Sequence, residues 1–397
     1  MKKIQILTIF AAMLMAASCI YPFSADIERE EGEYMVIEGD ILVGAESVFI
    51  LSYLAPLSGF DVKDDAPKGR IWIESEGGQN YEGSYSAEKS RRDAVAITSA
   101  YSIDTRNLSP DQRYKLHVTC SDNGREYATD WLAVEKAPVL DSISIVQDFE
   151  GSCLRFLNSL HSDSGQHNFR VHFHEVWEYV APYRTEVKYV TGPDYPQGYD
   201  IVEYEDNENT YYCWDNDDSY EVMLMTTAGL TKDVVINHDF YQIKRDNRKL
   251  SQLYSMEYTV ESLSDAAYAY WDNMNTVSNN VGSLFSPNPS ELRGNIRCVQ
   301  DTTEMVYGYI NASAVACKTV WYDNMRESFF KPARGCTDVI AVPFIQSKRY
   351  YTTGWRPAFF DEAEGSYFWV EASCAECTRL GGTKNRPEGW PSPANHI

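Results

Sequence analysis

Between Tyr34 and Val134, apolar and polar residues alternate over short runs. YMVIEGDIL, SVFILSYL, GRIWIES, DAVAITS, RYKLHVT and EYATDWLAV follow one another, separated by clusters of Gly, Pro, Asp and Ser. A period of two sends successive side chains to opposite faces of a strand, so each run predicts a β-strand. About six or seven strands in roughly 100 residues is the density of an antiparallel sandwich. The pattern stays mostly β from Val139 onward, through CLRFL, HNFRVHFHEVWEYV, YEVMLMTT, DVVINHDF and LYSMEYTV. One stretch changes period: Leu263, Ala266, Ala267, Tyr270, Met274 and Val277 share a helical face behind Ser262 and Asp265, a variant capping box. A helix near 262–278 is expected, ended by Val281-Gly-Ser and Pro287-Asn-Pro289, before GNIRCVQ and MVYGYINASAVACKTVWY return to strands. The expected fold is mainly β, with no tandem repeat of the kind that builds solenoids or propellers.

Leu108-Ser-Pro110 followed by Tyr114-Lys-Leu116-His-Val118 resembles a fibronectin type III domain. The resemblance implies a tyrosine whose hydroxyl bonds back to the preceding corner, with the residues two and four further on entering the core. Gly124 marks a hairpin turn, and Lys136-Ala-Pro138 reads as the exit linker. A chain of 397 residues exceeds the usual ~100–200 per domain. The expected division is a fibronectin III or Ig-like sandwich over 34–138 and a larger β-rich domain carrying the helix over 139–397.

The first residues read MKKIQILTIFAAMLMAASC. Two lysines precede an apolar run from Ile4 to Ala17 that is 14 residues long, and Ala16-Ala-Ser18 leads into Cys19. The run is shorter than the roughly 20 residues of a spanning helix, and small residues stand where a signal peptidase would cut. A lipoprotein signal over 1–18 with lipidation of Cys19 is the reading. Asp26, Glu28, Glu30 and Glu31 without a periodic apolar face make 19–33 an acidic tether. Removing Lys2 and Lys3 leaves 33 basic against 58 acidic residues, a formal charge of −25. Such a surface repels phosphates, and no basic stripe interleaved with aromatics is present, so nucleic acid is excluded as a partner.

Eight cysteines remain after Cys19: Cys120, Cys153, Cys213, Cys298, Cys317, Cys336, Cys374 and Cys377. An exported chain can oxidise them, but spacing alone leaves all roughly 105 connectivities open. The close pair Cys374 and Cys377 is the candidate disulfide.

Candidate chemistry is sparse. His174-Glu175-Val-Trp177-Glu178 comes near a zinc protease motif, but its second histidine is Glu178. Its alternation also argues a strand, where His172 and His174 share a face with Arg170 and Glu178, a face expected to be solvated. Asp215, Asp217, Asp218 and Glu221 lack the spacing of a calcium loop: Tyr220 stands where glycine is required and Thr226 where a bidentate carboxylate belongs. No catalytic residue, metal or cofactor is assigned. For binding, the richest stretch is Tyr179 to Trp214, where Tyr183, Tyr189, Tyr195, Tyr199 and Trp214 offer flat amphipathic area for a peptide, glycan or protein.

Several fragments, in order, resemble the Bacteroidetes outer-membrane lipoproteins grouped as domain of unknown function 4249. They are Val36-Ile-Glu-Gly39-Asp-Ile41, His174-Glu-Val-Trp177-Glu178, Leu284-Phe-Ser-Pro287-Asn-Pro289, Gly294-Asn-Ile296 and Val306-Tyr-Gly308-Tyr309, with Cys374-Ala-Glu-Cys377 and Arg386-Pro-Glu-Gly-Trp390 at the end. The resemblance implies a lipoprotein acting beside a TonB-dependent outer-membrane transporter, with no established enzymatic activity. The expected function is to bind a nutrient, peptide or glycan for that transporter, or to dock onto it, attached to the outer membrane through the N-terminal lipid. A secreted carboxylate-dependent hydrolase and a surface adhesive or structural lipoprotein are the rival expectations. Cys19→Ala is expected to remove the fatty acid and release the protein from the membrane fraction, read by intact mass and fractionation. Unacylated wild-type protein in the cytosol would overturn the anchor.

Overall fold

A computed structural model describes residues 34–54, 65–91, 97–205, 211–219, 221–279, 293–332 and 336–391. The predicted signal, the tether and Cys19 lie outside the described residues. Most of the alternating runs become strands. In the first sheet, β1 (Met35–Glu38), β3 (Glu46–Tyr53), β7 (Ser99–Asp104) and β6 (Ser84–Ser86) are antiparallel neighbours. In the second sheet the order is β5 (Asn80–Glu82), β4 (Gly69–Ser75), β8 (Arg113–Cys120) and β9 (Glu126–Thr129), with β10 (Leu132–Ala133) also on β8. The inward set Met35, Ile37, Phe49, Leu51, Ile71, Ile73, Leu116 and Val118 is almost wholly buried between the sheets. Tyr114 donates its hydroxyl hydrogen to the Ser109 carbonyl at 2.9 Å, the corner bond expected of this sandwich.

The sandwich takes in chain from far downstream. β20 (Ile296–Cys298) extends the second sheet beside β9, and β21 (Val306–Tyr307) lies parallel to β1. Gly308 makes that approach possible: its φ is 116°, and a Cβ there would sit 1.8 Å from the Ile37 carbonyl oxygen. The core therefore includes Ile296, Cys298, Val306 and Ile310. Met35–Ile397 forms one compact unit in contact terms.

A second sandwich follows. One sheet is β11 (Val139–Asp148), β12 (Cys153–His161) and β18 (Val234–Lys244). The other is built on β13 (Asn168–Val180), paired on one side with β19 (Leu253–Ser262), which continues to β22 (Ala312–Asp323) and the short β2 (Ile41–Val43). On its other side β13 pairs β17 (Met223–Thr226) with its first half and β16 (Tyr212–Asp218) with its second. Val171, Phe173, Trp177, Phe156, Tyr254 and Tyr258 fill the space between the sheets. Among the described residues the one long helix is Asp265–Asn279. It starts later than expected because Ser262 ends β19, where its hydroxyl donates to the Lys136 carbonyl at 2.7 Å; Ser264 caps instead, accepting from the Ala267 N–H.

The C-terminal part packs β14 (Val187–Thr191) and β15 (Tyr199–Glu203) near a small sheet of β23 (Ile340–Val342), β25 (Ser366–Glu371) and β24 (Trp355–Asp361). Two disulfides tie it in, Cys213–Cys377 and Cys336–Cys374, so the expected Cys374–Cys377 bridge is corrected. Glu376 is extended (φ −116°, ψ 104°) and ends the helical turn Ala372–Ala375. Cys374 is left packed among Ala358, Val370 and Ala375, while Cys377 joins the core of the second sandwich. The C-terminal tail is docked: the Trp390 indole N–H donates to buried Glu178 at 3.0 Å. Tyr114→Phe is expected to lower the unfolding free energy by about 1 kcal/mol in urea titrations, through loss of the corner hydrogen bond.

Candidate functional site

A cleft of about 350 Å³ opens where one edge of each sheet of the second sandwich meets the long helix. Val222 to Met225 form one wall and His238 to Phe240 the opposite one. Tyr268, Asp272 and Asn275 reach it from the helix. Their spacing of four and then three residues puts them on one stripe, which is why one helix supplies all three. Val171, Met225 and Phe240 supply the apolar part of a lining that is on balance more polar than apolar.

Two of the polar side chains are fixed by hydrogen bonds. Asn275 donates to the Val222 carbonyl at 2.9 Å, pinning the helix to the mouth of the wall. Asp239 Oδ2 accepts from Arg155 Nε at 2.8 Å and Gln242 Nε2 at 2.7 Å, whereas its Oδ1 is buried with no hydrogen-bond partner among the described residues. Burial raises the Tyr268 phenol above its ordinary range, and the Asp272 carboxylate adds to the effect, so it stays protonated at neutral pH. A space of this size with a mixed lining and convergent polar atoms can hold a small molecule or a few residues of peptide.

The aromatic residues singled out from sequence lie elsewhere. Tyr189 stacks on Tyr199 at 5.3 Å and on Tyr351 at 4.2 Å, and Tyr199 also meets Phe344 at 5.4 Å. Tyr183 packs against the cluster of Ala358, Val370, Cys374 and Ala375. Tyr195 closes the turn from Gly192, and buried Trp214 exchanges two 2.8 Å backbone bonds with Thr383. None of these five lines the cleft. The stripe Tyr268–Asp272–Asn275, on the polar side of the predicted helix, was the legible signal for it.

The other sequence candidates have close partners. His172 Nε2 lies 3.1 Å from Glu261, which Arg170 also engages, and His174 Nδ1 lies 2.7 Å from Asp218. Asp215 and Asp217 sit on β16, not in a loop, and face Arg248 at 3.4 Å and Lys249 at 3.6 Å. Among the described residues no group of three or more His, Cys, Asp or Glu side chains converges as a metal site.

The β13 face expected to be solvated is partly buried, and this is a correction. Glu178 is covered by Trp390, and Arg170 is enclosed by Asp40, Glu261 and the Trp271 ring, 4.7 Å away. Glu175, on the opposite face, sits in the core bonded to Tyr254, Tyr241 and Lys249. Asn311 donates its backbone N–H to Asp40 at 2.7 Å and its amide to Glu261 at 3.3 Å. Two carboxylates thus share one guanidinium. Burial pushes Asp40 up, Arg170 only partly reverses it, and the Glu261 charge adds, leaving Asp40 at about 7. Burial also opposes ionisation of Glu261, but Arg170 and His172 overcome it and hold Glu261 at about 2.

The family model of a domain of unknown function, DUF4249, matches residues 20–319. No curated protein matches the chain. Among solved structures, the BSP domain of a biofilm associated protein aligns at 9% identity and a TM-score of 0.12, over 74% of this chain and 59% of that one. The chain thus spans 59% of the length of that structure, and so low a score carries no argument.

Asp40 binds its proton more tightly in the folded state than at its ordinary 3.8, so its contribution to stability is present at low pH and is lost as pH rises from 3.8 to about 7. The stability of wild type relative to Asp40→Asn is expected to fall across that window and to flatten above it, measured by urea unfolding at a series of pH values.

Proposed function

We propose that this chain, which belongs to the DUF4249 family, is an outer-membrane lipoprotein that binds a ligand in the cleft between β17, β18 and the long helix, and docks onto a TonB-dependent transporter. The observation that carries the reading is the cleft itself, with Asp239, Asp272, Asn275 and Tyr268 beside apolar side chains such as Val171 and Phe240. A concave space lined by both apolar and convergent polar groups is what binding sites use. The secretory signal ending at Cys19 supports a lipid anchor at the membrane where such transporters sit. The body binds and does not catalyse. A carboxylate-dependent hydrolase has one observation in its favour, that Asp239 and Asp272 line the same cleft. Turnover on a glycan panel, lost on Asp272→Asn, would favour that reading instead.

Crosslinking in intact outer membranes is expected to recover a β-barrel transporter with the protein. Native mass spectrometry of the extracted chain is expected to show a bound molecule that Met223→Trp excludes. Recovery with no barrel partner would overturn docking, and an empty wild-type cleft would overturn binding.

A further inference from the structure

We propose that the stretch from Phe344 to Thr352 rests on the anionic phospholipid headgroups of the membrane that holds the lipid anchor. The inference goes beyond the cleft and takes from the function proposed above only the acylated Cys19.

Charge is the starting point. The chain carries 58 acidic residues, yet between Asp338 and Asp361 there is none, the longest such gap after Cys19. Lys348, Arg349 and Arg356 fall inside it. An acidic body held at a negative surface is pushed away from it, and a stretch without acids is where that repulsion is weakest.

The fold turns two of the cations outward. A 3-10 turn, Phe344–Gln346, runs into the short helix Ser347–Thr352. On the inner side Phe344 meets Tyr199 and Tyr367, Ser347 is buried, Tyr350 packs on Trp355 and Trp369, and Tyr351 stacks on Tyr189. The opposite stripe, at spacings of three and four, is Ile345, Lys348, Arg349 and Thr352, all exposed. Neither Lys348 nor Arg349 has an ion-pair partner among the described residues, whereas Arg356 is engaged by Glu376. Ile345 is 76% exposed, more than any other large apolar side chain among the described residues. Of the acids in this part of the fold, Asp200 lies near Tyr367 and Glu371 stands opposite Trp355. Asp361, Glu362 and Glu364 are at the other end of β24, about 20 Å of strand away.

An exposed apolar side chain flanked by two long cations fits a peripheral membrane contact. The apolar group enters the headgroup boundary, and Lys and Arg lay their stems along it while their charged ends meet phosphates. Each cation near an anionic surface raises the ratio of docked to free protein about fivefold, so the pair gives roughly thirtyfold. That is weak for a free protein but sufficient for a tethered one, whose effective concentration at the surface is on the order of millimolar.

The test reconstitutes the full acylated chain in phosphatidylcholine vesicles, with and without phosphatidylglycerol at about one lipid in three. The acetylation rate of Lys348 is read by peptide mass spectrometry, with exposed Lys318 on β22 as the reference. Phosphatidylglycerol is expected to slow modification of Lys348 about tenfold relative to Lys318, and high salt to restore it. Arg349→Gln is expected to weaken docking about fivefold and Ile345→Ser about tenfold, with the unfolding midpoint unchanged because both positions are exposed. Equal Lys348 rates in the two vesicles, or slowing that survives both substitutions, overturns the proposal. Crosslinking of Lys348 to a protein in intact outer membranes, together with equal rates in the vesicles, marks the stretch as a protein contact and also overturns it. An acylated chain with equal rates defeats this inference alone, whereas wild type without fatty acid defeats the anchor and this inference together.

Discussion

One guanidinium ties together three distant stretches of the chain. Arg170, in the long strand β13, receives Asp40 from the turn between β1 and β2 and Glu261 from the adjacent β19, all of them buried. The first sandwich is thereby joined to the second through buried hydrogen bonds to one guanidinium. Its neighbour β2 runs parallel to β22 in the same sheet, and Glu135 adds two backbone bonds, to Ala312 and Ala314. A buried ion cluster is a poor source of net stability, but leaving one of its charges unpaired costs about 3–5 kcal/mol, so the three segments are held in register together or not at all.

The same junction positions the cleft. Asn168, two residues before Arg170, accepts from Thr226 at the end of β17 and donates to Asp265 at the helix start. The helix therefore begins where β13, β17 and β19 meet, and its stripe of Tyr268, Asp272 and Asn275 runs along the open edge. The walls of the cleft rest on strands whose other sides pair with β13 and β12, and Asn275 closes one end on the Val222 carbonyl.

The C-terminal part serves a different purpose. It extends past residue 319, where the family match ends, and seals the far side of the second sandwich. The Cys213–Cys377 bond, the Tyr179 hydroxyl between the Cys377 carbonyl and the Gly382 N–H, and the Trp390 indole on Glu178 all fasten it to β13 and β16. The tyrosines of 183–199 are consumed in this packing, which explains why an aromatic-rich stretch is not the concave site.

Strand positions, the mainly β class, the tyrosine corner and the existence of the long helix were legible in the sequence, because period, turn residues and capping act over a few neighbouring positions. The buried charges were not. Arg170 and Asp40 are 130 residues apart, and an alternating strand with a polar face reads as solvated whether or not a distant loop covers it. The disulfides failed for a related reason: Cys213 and Cys377 are separated by 164 residues, while the two cysteines nearest in sequence are turned apart by one extended residue between them. The cleft too is a product of assembly, since its lining comes from both sheets of the second sandwich and from the helix, and these meet only when the sheets close.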